Sequence, residues 1–373
     1  MILEKVKEHA HRVARAPALS VVVPTYNEAG NMVALARRLS VALRTVDWEL
    51  IVADDNSPDG THQLAKQIGS GDPRVRCLRR VGRRGLAGAC IDGILSSSAP
   101  YVAVMDGDLQ HDEAILLRML RRLEDGDADI VIGSRYCAGG SSDGFSGIRG
   151  AVSRFATALA RSLTRVSVSD PMSGFFAVRR EAFEIYAPVL SQDGFKILLD
   201  LLATARGELS VVEEPYAFRA RQAGESKFDL RVGLEYLGLL VAKMTGGAVE
   251  PRFVPYALVG TMGLLIHLVI LKTALAQYEF HTAQAIATLG AMLANFFVNN
   301  RLTYKDLRLR GWSMMRGMVI FCAIGATGFI ANIGVASWFY AEKPLWWLAG
   351  AAGAIIGAVW NYAMSSRLVW RLR

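Results

Sequence analysis

The chain has 373 residues, 52% of them hydrophobic, and a formal net charge of +8, and its mean hydropathy is +0.26. That is too apolar for a wholly soluble protein, and the length allows more than one domain. Residues 1–250 carry 31 Lys+Arg against 31 Asp+Glu, whereas residues 251–373 carry 11 against 3; a basic excess confined to an apolar segment points to a membrane and excludes nucleic acid as the partner.

Residues 1–17 form a charged, amphipathic extension (Glu4, Lys5, Lys7, Glu8, Arg12, Arg15) without the apolar centre of a signal peptide. From residue 18, strand-like runs alternate with helix-like stretches. Leu19–Val23 runs into Pro24-Thr25-Tyr26-Asn27-Glu28, and a helical pattern covers Asn31–Val46. Trp48–Ala53 ends at Asp54-Asp55-Asn56-Ser57. Tyr101–Met105 ends at Asp106-Gly107-Asp108-Leu109-Gln110, with a helix over Glu113–Glu124, and Asp129–Ile132 ends at Gly133-Ser134-Arg135-Tyr136. This alternation predicts an α/β fold built on a doubly wound, mostly parallel sheet. Polar residues gather at the strand ends, where open α/β sheets bind ligands. The two carboxylates and the amide oxygen of Asp106, Asp108 and Gln110 are hard donors suited to Mg²⁺ or Mn²⁺; a polar turn closing a strand has the same composition, and the segment alone does not separate the two. There is no Gly-x-Gly-x-x-Gly and no Walker loop, so neither a dinucleotide fingerprint nor an NTPase is indicated. Four scattered cysteines without a Cys-x-x-Cys exclude a disulfide framework or zinc site and fit a reducing compartment.

Two stretches read as helices lying in a membrane surface: Ile148–Val166, which alternates arginines with apolar residues, and Phe228–Met244. Ordinary amphipathic core helices would have the same pattern. Four segments then lack Asp, Glu, Lys and Arg (Phe253–Leu271, Phe280–Asn300, Gly317–Ala341, Pro344–Ser366), each near the ~20 residues needed to span a bilayer. Spans are therefore expected at about 253–272, 280–300, 317–341 and 344–366. Arg301, Lys305, Arg308, Arg310 and Arg316 lie between spans two and three, and Arg367, Arg371 and Arg373 follow span four, which puts both termini in the cytoplasm. His267, Asn295, Asn299, Asn300, Asn332 and Asn361 fall inside or at the ends of spans, as interhelical hydrogen-bonding groups or as the lining of a headgroup path.

The motifs Val23-Pro24-Thr25-Tyr26-Asn27-Glu28, Asp54-Asp55-Asn56-Ser57-Pro58-Asp59-Gly60-Thr61, Asp106-x-Asp108-Leu109-Gln110-His111 and Gly133-Ser134-Arg135-Tyr136 together resemble the GT-A nucleotide-sugar transferases of family 2 type that act on polyprenyl phosphate. The polyprenol (dolichol) phosphate mannose synthases are the closest group. Arg149, Ser153-Arg154, Ser169–Phe176, Phe195–Leu199, Arg219 and Gly224-x-Ser226-Lys227 extend the match over about residues 18–230, and the four spans resemble a GtrA-type membrane unit. The expected organisation is an extension (1–17), a GT-A domain (18–230), an interfacial helix or linker (231–250) and a membrane domain (251–373). Gly107 departs from the resemblance, where Ala is common.

The resemblance implies transfer of mannose from GDP-mannose to polyprenyl or dolichyl phosphate, in an integral membrane protein of a prokaryotic cell membrane whose catalytic domain is cytoplasmic. Pro24, Tyr26, Glu28, Asp54, Asp55, Asp106, Arg219 and Lys227 would bind the nucleotide sugar, with Asp54 accepting from the base. Asp55, Ser57 and Asp59 have capping as an alternative role. Asp106, Asp108 and Gln110 would hold Mg²⁺ or Mn²⁺. Arg135, Arg149, Ser153, Lys196 and Ser226 would bind the acceptor phosphate, although Lys196 has simple helix flanking as an alternative, and Asp108, Arg135 and Arg149 would be catalytic. An ionised phosphate monoester is already a nucleophile, so the scheme requires cationic guidance rather than a general base. The rivals are a polyprenyl-phosphate glucose synthase using UDP-glucose or another nucleotide sugar, and a non-catalytic lipid-phosphate carrier or flippase. A processive polysaccharide synthase is disfavoured because no Gln-x-x-Arg-Trp occurs.

Overall fold

The computed structural model describes residues 16–138, 164–192, 196–219, 230–246, 248–305, 307–342 and 346–370. The chain divides into two compact units, Met1–Lys227 and Phe228–Arg373.

Among the described residues, the first unit carries seven strands: β1 Leu19–Thr25, β2 Trp48–Asp54, β3 Val75–Arg79, β4 Tyr101–Val104, β5 Ile130–Ser134, β6 Phe176–Arg179 and β7 Val211–Pro215. Their order is β3-β2-β1-β4-β6-β5-β7. All pairings are parallel except those of β6, which runs antiparallel to both β4 and β5. The central strands read as continuous apolar runs because both their faces are covered. In β1, Leu19, Val21 and Val23 enter one core while Val22 enters the other. The first core also holds Met32, Leu35 and Leu39 of helix α1 (Ala29–Ala42), Ala65 of α2 (Thr61–Gly71), and Leu116, Met119, Leu120 and Leu123 of α4 (Leu116–Glu124). The second holds Cys90, Ile91 and Ile94 of α3 (Leu86–Leu95), Phe183 of α5 (Arg180–Tyr186), and Leu198, Leu201 and Leu202 of α6 (Ile197–Ala205). Glu113–Ile115, expected as the start of a helix, forms a separate 3₁₀ turn. Pro24 is tolerated inside β1 because β4 pairs with β1 only as far as Val22 and Val104; a proline lacks the N–H that a longer ladder would require.

The second unit is helical: α7 Leu230–Met244, α8 Phe253–Ala274, α9 Phe280–Arg301, α10 Gly311–Glu342 and α11 Trp346–Leu368. Among the described residues, α8 is long and apolar enough to cross a membrane by length and composition. Helix α10 begins at Gly311 rather than at the uncharged run from Gly317, because a charged residue such as Arg316 ends an apolar stretch without ending a helix. Most residues of the expected surface helix Ile148–Val166 lie outside the described residues.

The packing of α3 on β1 tolerates no side chain at Gly93, where a Cβ would lie 2.4 Å from Val22 Cγ1, whereas nothing lies within 4 Å of a Cβ at Gly30 in α1. Gly93→Ala is expected to destabilise the protein by about 1–3 kcal/mol through overpacking, and Gly30→Ala to leave stability unchanged or raise it by up to about 1 kcal/mol. Chemical denaturation of the detergent-solubilised full chain checks both.

Candidate active site

The first two acids at the sheet edge turn inward. Asp54, the last residue of β2, has no exposed surface. Its Oδ1 accepts from Thr25 Oγ1 at 3.1 Å and Ser57 Oγ at 2.5 Å, and its Oδ2 accepts from Ser57 N at 2.9 Å. The carboxylate expected to accept from the base is thus held by its own loop here, a structural role that the sequence reading did not give it. Asp55, also expected at the nucleotide, is likewise held by protein groups here. Arg80 Nη1 donates to its Oδ1 and the Gly85 amide donates to its Oδ2 at 2.7 Å, while Arg80 also reaches Asp92 at 2.8 Å. Asp59 accepts from Thr61 N, Thr61 Oγ1 and Ala29 N. Partial burial opposes its charge, but these hydrogen bonds outweigh it and hold the carboxyl below its ordinary range. Asp59 thus ties the start of α1 to the start of α2. Of the other groups expected at the nucleotide, Tyr26 is 39% exposed, and the Arg84 guanidinium lies 4.9 Å from its ring centroid. The Glu28 carboxylate accepts from Asn31 Nδ2 at 2.7 Å.

The acids after β4 differ. The Asp106 side chain is 39% exposed. Its backbone N–H donates to His111 Nδ1 at 3.1 Å, and His111 Nε2 lies 3.7 Å from Asp106 Oδ2. The imidazole is buried, stacked on Phe175 at 5.0 Å and 12°, with Tyr216 edge-on at 5.8 Å. Burial holds the His111 pKa below its usual value against the pull of Asp106 and Asp108. Desolvation raises the pKa of Asp106; His111, Lys196 and Arg135 lower it and Asp108 adds to the rise. These groups therefore share one field. A Cβ at Gly174 would sit 2.9 Å from Asp106 Oδ2, so the missing side chain is what gives that carboxylate its room.

Arg219 braces the loop that carries these acids. Its guanidinium donates to Glu113 at 2.7 Å and Asp112 at 2.8 Å. Its backbone N–H donates to Gln110 O at 3.0 Å, and its carbonyl accepts from Gln110 Nε2 at 3.1 Å. Arg219, expected at the nucleotide, has both terminal nitrogens on the loop in this structure. The Gln110 amide has its nitrogen end anchored, which orients its oxygen end. Asp108 Oδ1 accepts from Gln110 N at 3.2 Å.

Arg135 is gripped by Asp170, with Nε and Nη2 donating to its two oxygens at 2.8 and 3.0 Å, and it lies over the rings of Tyr136 and Phe218. Glu213 of β7 accepts from Ser169 N and Asp170 N, which fixes the Asp170 turn to the sheet. Lys196 donates to Met172 O at 3.1 Å. Burial lowers its pKa, as does Arg135, while Asp106 and Asp170 raise it. Lys196 therefore stands in the same cluster and also immediately precedes α6. Arg149, Ser153, Arg154, Arg161, Ser226 and Lys227 lie outside the described residues.

Among the described residues, no group of three or more His, Cys, Asp or Glu side chains is assembled around a metal position. The donors at hand are two carboxylates and one amide oxygen, a set that suits a cation completing its shell with phosphate oxygens. The room left at Gly174 beside Asp106 fits such an ion.

Residues 20–186 match the glycosyl transferase family 2 model, and residues 255–370 match the GtrA/DPMS transmembrane domain. The chain is 33% identical over 360 residues to the dolichol-phosphate mannosyltransferase of Pyrococcus furiosus, covering 94% of this chain and 99% of that one. The chain belongs to the dolichol-phosphate mannosyltransferase family. It is a glycosyltransferase and a membrane protein. It is also 37% identical to the Mycosarcoma maydis dolichol-phosphate mannosyltransferase over 233 residues, covering 60% of this chain and 78% of that one. A solved structure similar to it is glucosyl-3-phosphoglycerate synthase from Mycobacterium tuberculosis in complex with Mn²⁺, UDP and glucosyl-3-phosphoglycerate, with a TM-score of 0.48 and 22% identity over 63% of this chain and 81% of that one.

Sequence reasoning quoted His111, Asp170 and Gly174 inside motifs of this transferase but gave them no role. Asp170 and Gly174 flank Ser173 in one turn, and a readable signal was an acid placed to pair with an arginine already assigned to phosphate.

Two substitutions separate structural acids from the site. Asp54→Asn leaves one oxygen to accept from Ser57 N–H and turns the other acceptor, which serves the Thr25 and Ser57 hydroxyls, into an N–H donor; it is expected to cost about 1–3 kcal/mol of stability, with the KM for nucleotide sugar in the folded fraction unchanged. Gly174→Ala crowds the Asp106 carboxylate and is expected to weaken nucleotide binding about tenfold without lowering the thermal midpoint.

Proposed function

We propose that this transferase moves mannose from GDP-mannose to polyprenyl phosphate, inverting the anomeric configuration and giving a β-linked polyprenyl-phosphate mannose. The observation that carries this reading is the likeness to the Pyrococcus furiosus dolichol-phosphate mannosyltransferase, which extends through both units of the chain. Geometry supports it through the acids that remain at the sheet edge, Asp106 and Asp108, and the cations beside them.

Asp106, Asp108 and the Gln110 amide oxygen would hold Mg²⁺ or Mn²⁺. When bound, that ion supplies positive charge to the donor diphosphate as it leaves. Tyr26 and Glu28, with Pro24 shaping the turn, border the nucleotide. Arg135 faces the reacting phosphates, already fixed by Asp170, so little side-chain entropy is lost when it grips an oxyanion. Lys196 adds a second cation at the same place, and Arg149, Ser153, Ser226 and Lys227 complete the phosphate contacts. The acceptor phosphate oxygen attacks the anomeric carbon, the bond from that carbon to the diphosphate breaks, and GDP leaves with the electron pair. The attacking monoester is ionised near neutral pH, so no side chain has to remove a proton. The membrane domain, residues 251–373, would anchor the enzyme where the lipid phosphate emerges, with both termini in the cytoplasm.

The purified full chain, given polyprenyl phosphate, Mg²⁺ or Mn²⁺ and either GDP-mannose or UDP-glucose, is expected to form lipid-linked mannose. Faster transfer from UDP-glucose would overturn the donor assignment, and no lipid-linked product from either donor would overturn the reaction. Asp108→Ala is expected to lower kcat at least about a hundredfold.

A further inference from the structure

The membrane unit is a tandem duplication. Phe253, Tyr256, Val259, Gly260 and Gly263 of α8 recur at constant spacing as Met318, Phe321, Ile324, Gly325 and Gly328 of α10. Asn295, Asn299-Asn300-Arg301-Leu302 and Tyr304 recur as Asn361, Ser365-Ser366-Arg367-Leu368 and Trp370. The contacts obey the same repeat. Asn295 packs on Gly263, and Asn361 packs on Gly328, each so closely that a Cβ on the glycine would fall 2.2 or 2.0 Å from the amide oxygen. Tyr256 meets Tyr362 at 5.4 Å, and their counterparts Phe321 and Phe296 meet at 5.7 Å. Tyr304 and Trp370 stack on each other at 4.0 Å and 5°, both buried. Tyr304 Oη bonds Ser366 Oγ at 2.7 Å, and Trp370 Nε1 donates to Asn300 Oδ1 at 3.2 Å. Each partner of one bond is the repeat equivalent of a partner in the other, so the two halves are related by an approximate two-fold axis between these rings.

One seam breaks the symmetry. Between the start of α8 and the end of α11 lies a cavity of about 350 Å³ lined by Glu250, Phe253, Val359, Tyr362, Ser366 and Arg367, within the size range of ligand pockets, roughly 300–1,000 Å³. Tyr362 Oη donates to Glu250 Oε2 at 2.6 Å and fixes the carboxylate there. At the equivalent seam Met315 stands for Glu250, Phe296 for Tyr362 and Phe297 for Ala363. Leu309 fills that seam, its backbone clamped by the Asn300 amide at 2.9 and 3.1 Å and its side chain against Gly317. The carboxylate and the phenol thus occur in the open copy and not in the closed one, whereas Ser366 and Arg367 have polar counterparts there, Asn300 and Arg301; Arg367 stands in the last turn of a helix in a membrane unit.

We infer that this seam binds the headgroup of an amine-bearing phospholipid, with the ammonium on Glu250 and the phosphodiester on Arg367 and the Ser366 hydroxyl. Two opposite charges on a partly apolar wall match a zwitterion joined to acyl chains. A phosphate monoester without an amine would set its negative charge against Glu250, so the site is distinct from the acceptor site and does not depend on the donor assignment.

The test is lipid retention by the full chain. The protein is reconstituted in nanodiscs of equal phosphatidylethanolamine and phosphatidylglycerol, re-extracted in mild detergent and examined by native mass spectrometry. Phosphatidylethanolamine is expected to be retained at least about fivefold over phosphatidylglycerol, and Glu250→Gln is expected to abolish the preference. Ala363→Phe, which installs the residue of the closed seam, is expected to do the same by filling the cavity, whereas Met315→Gln in the closed seam leaves the preference intact. Equal retention of the two lipids, or a preference that survives both Glu250→Gln and Ala363→Phe, overturns the proposal. Preferential retention of added polyprenyl phosphate at this seam overturns the zwitterion assignment. Displacement by millimolar glycerophosphoethanolamine would assign the seam to a free phosphodiester and overturn the lipid.

Discussion

Parallel strands end at one edge of a sheet, and in this chain those ends carry acids. A carboxylate in a low-dielectric interior costs several kcal/mol unless donors surround it. The fold meets that constraint by dividing the acids into two groups. Asp54 and Asp55 are buried and closed off by Thr25, Ser57, Arg80 and Gly85, and the exposed Asp59 is taken up by Thr61 and Ala29. Asp106, which follows β4 on the other side of β1, stays partly exposed. The proposed site is the part of the edge whose carboxylate stays partly exposed.

The same logic governs the cations. Arg135, Lys196 and Arg219 are each held by an acid or a carbonyl, and those partners are fixed in turn to the sheet or the loop. A guanidinium held in one orientation loses less entropy when it meets a phosphate. In the proposed mechanism Arg135 is the phosphate contact. Arg219 instead stiffens the segment Gln110–Glu113, so its effect on the site passes through the position of Gln110 and Asp108. His111 acts from the opposite side, holding the Asp106 backbone against a buried aromatic stack.

Much of this was legible in the residues. Apolar runs ending in polar clusters located β1, β2, β4 and β5, and the Asp106–Gln110 segment stood out by composition alone. Strand β6 did not, because Phe176–Arg179 is short and nothing in it encodes an antiparallel direction; that follows from its insertion between β4 and β5. Strand β3 was missed because Arg76 and Arg79 interrupt its apolar pattern at an exposed edge. The division among the acids was illegible, since Asp54 and Asp108 differ only in which donors the fold brings to them. The duplication in the membrane unit was readable all along: the recurrence of Asn, Arg and an aromatic in Asn295–Tyr304 and Asn361–Trp370 needs no coordinates to see, but its meaning depends on the ring stack that joins the two copies.

The most direct test of the central claim is calorimetric binding of GDP to the full chain with and without Mn²⁺, compared among wild type, Asp54→Asn and Asp108→Asn. The account predicts that Mn²⁺ tightens GDP binding in wild type and in folded Asp54→Asn, and that this coupling disappears in Asp108→Asn. Coupling that persists in Asp108→Asn but is lost in Asp54→Asn would contradict it, because the acid buried in its own loop would then be the one that serves the ligand.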